Sequence, residues 1–140
     1  MIFLVDLKGR CCPIEWKSNK IKRVCRSTLA AESYALYDGL SAAIVIKKAL
    51  VEIFPYVDVP VYVKVDCKAL IEALHSTSPV EEKLLRLTIA AIKQLVAEFN
   101  LFFSWVPGCL QLADGMTKRG ASGADLLMAL QSGCLDPAYL

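Results

Sequence analysis

The stretch Ser27-Thr28-Leu29-Ala30-Ala31-Glu32-Ser33-Tyr34-Ala35-Leu36-Tyr37 continues as a largely apolar run to Leu50, and the rest of the chain is read outward from it. A hydroxyl at Ser27 or Thr28 can cap the amide donors that a first helical turn leaves free. The alanines and leucines that follow favour helix. Leu29, Leu36, Leu40 and Ile44 recur at helical spacing and set an inward face. Glu32 stands three residues after Leu29 and four before Leu36, on that same face. A carboxylate turned toward a core needs a cation, a hydrogen-bond donor or a metal, because burying it unpaired is costly. The plainer alternative places Glu32 at the rim of the face, reaching water.

Upstream, Met1 to Val5 reads as a strand and Asp6-Leu7-Lys8-Gly9-Arg10 as a turn broken at Gly9. Cys11 to Lys17 is a second strand, with Ile14 and Trp16 alternating onto one face, so the two form a hairpin. Downstream, Pro55 to Pro60 ends the helical region, and Val61 to Asp66 alternates as a strand. Lys68 to His75 is a short helix, and Val80 to Phe99 a long one with Leu85, Ile89, Ile92, Val96 and Phe99 on one face. Leu101 to Val106 is the last strand. A helix is expected from about Leu110 to Lys118, a break at Gly120 to Gly123, and a final helix from Ala124 to Gln131. Strands mixed with crossover helices predict an α/β fold, a mixed sheet with flanking helices in which the hairpin adds antiparallel strands to a parallel pair.

Composition narrows the function classes. A chain of 140 residues, 56% hydrophobic and 21% charged, can bury a substantial core and is not disordered. No apolar run is read as reaching the length of a membrane span, and Met1 to Val5 lacks the features of a signal peptide, so an intracellular protein, cytoplasmic or nuclear and without a membrane partner, is expected. The six cysteines include no C-x-x-C pair and His75 is the only histidine, which disfavours zinc; free thiols are expected. Residues 1–26 hold seven basic side chains against Asp6 and Glu15, whereas the remainder holds nine basic and twelve acidic. A basic edge beside an acidic body suits a polyanion whose chemistry needs carboxylate-held cations, although solvated hairpin charges explain the same counts.

Three carboxylates are candidates for that chemistry. Asp66 ends its strand, and sites in open α/β sheets gather beyond the carboxyl ends of parallel strands. Asp114 follows the last strand in Gln111-Leu112-Ala113-Asp114-Gly115-Met116-Thr117-Lys118, and Glu32 can approach the same rim. Three acids without histidine or cysteine suit hard, oxygen-liganded cations, Mg²⁺ or Mn²⁺. Two such ions about 4 Å apart can activate water and stabilise the leaving oxygen in phosphodiester hydrolysis. Taken singly, Asp66 also reads as a strand-end cap and Asp114 as a helix-surface residue.

Pro13-Ile14-Glu15-Trp16-Lys17-Ser18-Asn19-Lys20 followed by Val24-Cys25-Arg26-Ser27-Thr28-Leu29-Ala30-Ala31-Glu32 resembles the strand-to-helix passage of the ribonuclease H domain of copia-type (LTR) retrotransposon Pol polyproteins. Val65-Asp66-Cys67-Lys68-Ala69-Leu70 resembles that family's strand-end aspartate and following helix, and Gln111 to Lys118 its closing motif. The resemblance implies a ribonuclease H-like domain over residues 1–120, with 121–140 as a C-terminal helical segment and tail. It implies cleavage of the RNA strand of an RNA–DNA hybrid, two Mg²⁺ (or Mn²⁺) ions held by four acids, and a reverse transcriptase domain in the same polyprotein. Glu32 matches the family's second acid, Asp66 the third and Asp114 the fourth. The first belongs to a strand that would precede Met1, so an amino-terminally truncated domain, weak or inactive alone, is expected. Asp6 reads as a turn residue, not a replacement. The loop Pro107-Gly108-Cys109 lacks a histidine found there in some ribonucleases H. Lys17, Lys20, Lys22, Arg23 and Arg26 are the candidate nucleic-acid contacts. The alternative is a non-catalytic nucleic-acid-binding or structural remnant of such a polyprotein.

Overall fold

The computed structural model describes residues 1–22, 24–117 and 123–139. The chain divides into two compact units, residues 21–105 and the combination of 1–20 with 106–140.

The larger unit begins with α1 (Thr28–Ile53), followed by β3 (Val61–Val65), α2 (Lys68–His75), α3 (Lys83–Phe99) and β4 (Leu101–Trp105). Ser27 caps α1, its hydroxyl accepting the Ala30 N–H at 3.1 Å. β3 and β4 pair in parallel, from Val61 opposite Leu101 to Val65 opposite Trp105, as expected of strands joined by a helical crossover. One face of this pair supplies Val61, Val63, Val65, Leu101 and Phe103 to the core. Ala30, Val65, Leu70, Leu85 and Ile89 form one buried cluster, and Leu40, Ile92 and Leu101 a second; Leu36, Val63, Leu74 and Phe103 pack against both. α3 starts at Lys83, three residues later than its periodicity suggests, with the Arg86 guanidinium hydrogen-bonded to the Val80 carbonyl ahead of it. It ends at Asn100, whose left-handed φ of 51° turns the chain directly into β4. The Lys47 ammonium donates to the carbonyl of Phe99 at 3.2 Å, satisfying an acceptor that the end of α3 leaves open.

The smaller unit holds the hairpin of β1 (Ile2–Val5) and β2 (Cys11–Glu15), paired antiparallel. Its turn is organised by Asp6, whose carboxylate accepts the backbone N–H groups of Lys8 and Arg10, each at 2.9 Å, and pairs with the Arg10 side chain at 2.6 Å. That confirms the turn reading of Asp6. After β4 the chain forms a 3₁₀ turn (Gly108–Leu110), a single turn α4 (Asp114–Thr117), α5 (Ala124–Ser132) and a second 3₁₀ turn (Pro137–Tyr139). Leu126 and Ala129 are the buried residues of α5. Gly133 caps α5 with a φ of 66°, and the chain then returns along β2. Cys134 bridges Arg10, while Cys11 donates to the Gly133 carbonyl at 2.7 Å and Leu135 to that of Gly9 at 2.9 Å.

Three expectations change. Among the described residues the strands make two two-stranded sheets instead of one mixed sheet. The open edge of β2 is partly taken by the segment after α5, a local partner that the sequence pattern did not mark. The helix expected from Leu110 to Lys118 is split, because Leu110 and Gln111 donate to Pro107 and Gly108 three residues back and close a 3₁₀ turn; Lys118 and the break at 120–122 lie outside the described residues. Finally, α1 has 26 residues and is long and apolar enough, by length and composition, to cross a membrane, contrary to the expectation that no run reaches that length. Its Ala30, Ser33, Leu40 and Ile44 are buried in protein here. All six cysteines are free thiols.

Candidate carboxylate site

Glu32 and Asp66 both belong to the larger unit. Ala30, in the first turn of α1, and Val65, the last residue of β3, are 1% and 6% exposed and share one buried cluster. Glu32 follows Ala30 by two residues and Asp66 follows Val65 directly. Both are half-buried. The buried line of α1 runs through Ala30, Ser33, Leu40 and Ile44, with Leu29 and Leu36 partly covered beside it. Glu32 therefore lies on the flank of the inward face, between the core and the rim. Next to it, the Ser33 hydroxyl donates to the Leu29 carbonyl at 2.7 Å and is satisfied within the helix.

The position of Asp66 is fixed from two directions. Trp105 donates its indole N–H to the Asp66 backbone carbonyl at 3.1 Å. Immediately beyond, Leu70 and Ile71 both donate to the Cys67 carbonyl, which starts α2 and turns the chain away from the strand end. The short loop between β3 and α2 thus holds Asp66 where the sheet ends.

Asp114 belongs to the smaller unit. It is the first residue of α4, half-buried, and its N–H donates to the Gln111 carbonyl at 3.0 Å. Among the described residues, no group of three or more histidine, cysteine, aspartate or glutamate side chains forms a metal-holding cluster. Within the larger unit, Glu32 and Asp66 offer oxygen donors alone, a set suited to hard divalent cations and unsuited to softer metals.

Of the basic run, Lys17 and Lys20 lie in the smaller unit, and Lys22 and Arg26 in the larger. All four are exposed and precede α1 in irregular backbone; Arg23 lies outside the described residues. Trp16, expected on a strand face with Ile14, lies just past β2 and is 64% exposed.

Two features had no counterpart in the sequence reading. A cavity of about 410 Å³ in the smaller unit is lined by Leu110, Met128, Leu135, Asp125 and Tyr139, among others. The Tyr139 hydroxyl donates to the Asp125 carboxylate at 2.8 Å, and burial together with that bond pushes its pKa up to about 12. No local spacing signals a pair fourteen residues apart. The second feature is a stacked pair, Tyr62 and Phe102, on the outer face of β3–β4. Here a signal existed, since the alternation of β3 puts Tyr62 and Lys64 opposite the valines. No family model matches the chain, and neither a curated protein nor a solved structure matches it.

Proposed function

We propose that this chain is a retrotransposon-derived ribonuclease H-like domain that hydrolyses the RNA strand of RNA–DNA hybrids when completed by a further strand carrying a fourth acid. The observation that supports the proposal is the buried cluster shared by Ala30 of α1 and Val65 of β3, residues close in sequence to Glu32 and Asp66. The order of the elements, the parallel pairing of β3 with β4 and the half-burial of both acids support the same reading.

In this mechanism Glu32, Asp66 and Asp114, together with the fourth acid, would hold the metal ions. Two Mg²⁺ or Mn²⁺ ions, when bound, supply an activated water and stabilise the departing oxygen. The protein's own part is positional. Trp105 and the β3–α2 loop hold Asp66 at the sheet end, and the Ser27 cap fixes the first turn of α1, which precedes Glu32. Lys17, Lys20, Lys22, Arg23 and Arg26 bind phosphates of the hybrid, which fixes its position without reading its sequence. A reverse transcriptase domain in the same polyprotein would supply the hybrid, inside the cell.

A second reading, a non-catalytic nucleic-acid-binding or structural remnant, is favoured by one observation. The carboxylate of Asp6 is committed to its own turn and to Arg10, so it does not stand in for the fourth acid. Cleavage of a defined hybrid, with Asp66→Asn and Asp114→Asn as controls, separates the two readings.

A further inference from the structure

The two faces of the β3–β4 pair differ in chemistry. The inward face is mainly aliphatic, Val61, Val63, Val65 and Leu101 with Phe103, and packs into the core. The outward face carries Tyr62 opposite Phe102 and, one step along, Lys64 opposite Ser104. The two rings stack at a centroid distance of 5.3 Å with an interplanar angle of 27°. Tyr62 remains 67% exposed and Phe102 44% exposed. Their mutual stacking steadies a two-stranded sheet but leaves Tyr62 largely and Phe102 partly in water.

The outward face offers flat π surfaces, a cation and a hydroxyl in a two-by-two array. Unpaired nucleobases stack on such rings, and an adjacent lysine meets the phosphate that follows. We propose that the outer face of β3–β4 binds single-stranded nucleic acid, with bases stacked on Tyr62 and Phe102 and a backbone phosphate at Lys64. This site lies on the sheet face, involves neither Glu32, Asp66 nor Asp114, and requires no divalent cation. It therefore stands or falls independently of hybrid cleavage.

The test is fluorescence anisotropy of a labelled oligodeoxythymidylate with the full chain in the presence of a chelator. A single strand is expected to bind more tightly than a duplex of the same length, whose base faces are hidden. Tyr62→Leu and Phe102→Leu retain apolar bulk but lose the π face, and each is expected to weaken binding about fivefold or more. Tyr62→Phe is expected to bind as the parent does, and Lys64→Ala to lower the salt slope by about one. Unchanged binding by Tyr62→Leu, or no binding by the parent chain, overturns the proposal. So does self-association of the parent that Tyr62→Leu abolishes, which would make this face a protein contact. Should the variants fail to fold, the parent alone decides: ring proton resonances of Tyr62 and Phe102 shift on adding the oligonucleotide, or the proposal fails.

Discussion

The indole N–H of Trp105 donates to the backbone carbonyl of Asp66 at 3.1 Å, tying the last residue of one parallel strand to the residue just beyond its neighbour. Val65 and Trp105 are register partners, so the bond extends the β3–β4 pairing past the end of the regular ladder. It also ties Asp66 to Trp105, a residue of β4 rather than of β3 itself.

Trp105→Phe keeps much of the ring and removes this donor. A hydrogen bond of this kind contributes about 0.5–1.5 kcal/mol, and Trp105 is 50% exposed, so the lower end is expected. Urea denaturation should show a small loss of stability with an unchanged m-value. Loss of hybrid cleavage well beyond that small destabilisation, in a completed domain, would mark the bond as a positioning contact for Asp66.

Leu40 and Ile92 sit in the same cluster at 2% and 0% exposure and join α1 to α3. Leu40→Ala or Ile92→Ala is expected to cost about 2–5 kcal/mol. Val45→Ala, one position beyond Ile44 on α1 but 66% exposed, should stay within about 0.5 kcal/mol. Equal losses at Leu40 and Val45 would contradict the packing described for α1.

These contrasts show what could be read from sequence. Leu40, Ile44, Leu85, Ile89 and Ile92 follow from helical periodicity because a core-facing helix repeats its apolar side chains every three to four residues. The parallel pairing of β3 with β4 follows from the helices between them. Asp6 follows from turn chemistry. The return of Cys134 beside Arg10 does not, because its pairing is made by backbone groups that every residue carries. The split of the expected Leu110–Lys118 helix is hidden for a related reason, since a 3₁₀ turn and an α-turn share the same favourable residues. The candidate acids were legible one at a time from Glu32 on an apolar helix and Asp66 at a strand end. Their partners across the fold, such as Trp105 for Asp66, are set by tertiary packing.

Tyr139 gives a pH prediction with a definite sign. Burial first, and then its bond to Asp125, raises its pKa from 10.0 to about 12 in the folded chain. A raised value means that the folded state favours the protonated phenol. The stabilisation is complete below about pH 10 and is lost as pH climbs toward 12. Spectrophotometric titration should show one late-ionising tyrosine, absent in Tyr139→Phe. Asp125→Asn should bring that ionisation to lower pH.

Lys17, Lys20, Lys22 and Arg26 are exposed, and phosphate contacts of such residues release counterions. Replacing them singly by alanine should weaken hybrid binding regardless of sequence. Each replacement should lower the slope of log affinity against log salt by about one. Unchanged affinity after neutralising all four would show a solvated charged face.

Hybrid cleavage with Mg²⁺ tests the proposed carboxylate site and its need for one more acid. The chain is compared with a version extended by an amino-terminal strand carrying an aspartate, and with extended Glu32→Gln, Asp66→Asn and Asp114→Asn variants. The expected result is little or no cleavage by the chain alone and clear cleavage of the RNA strand by the extended form. Each carboxylate variant should lose about a hundredfold or more, because small displacements of reacting groups alone cost that much. Full activity of the unextended chain would contradict the need for a fourth acid, and a folded but inactive extended chain would contradict the nuclease itself.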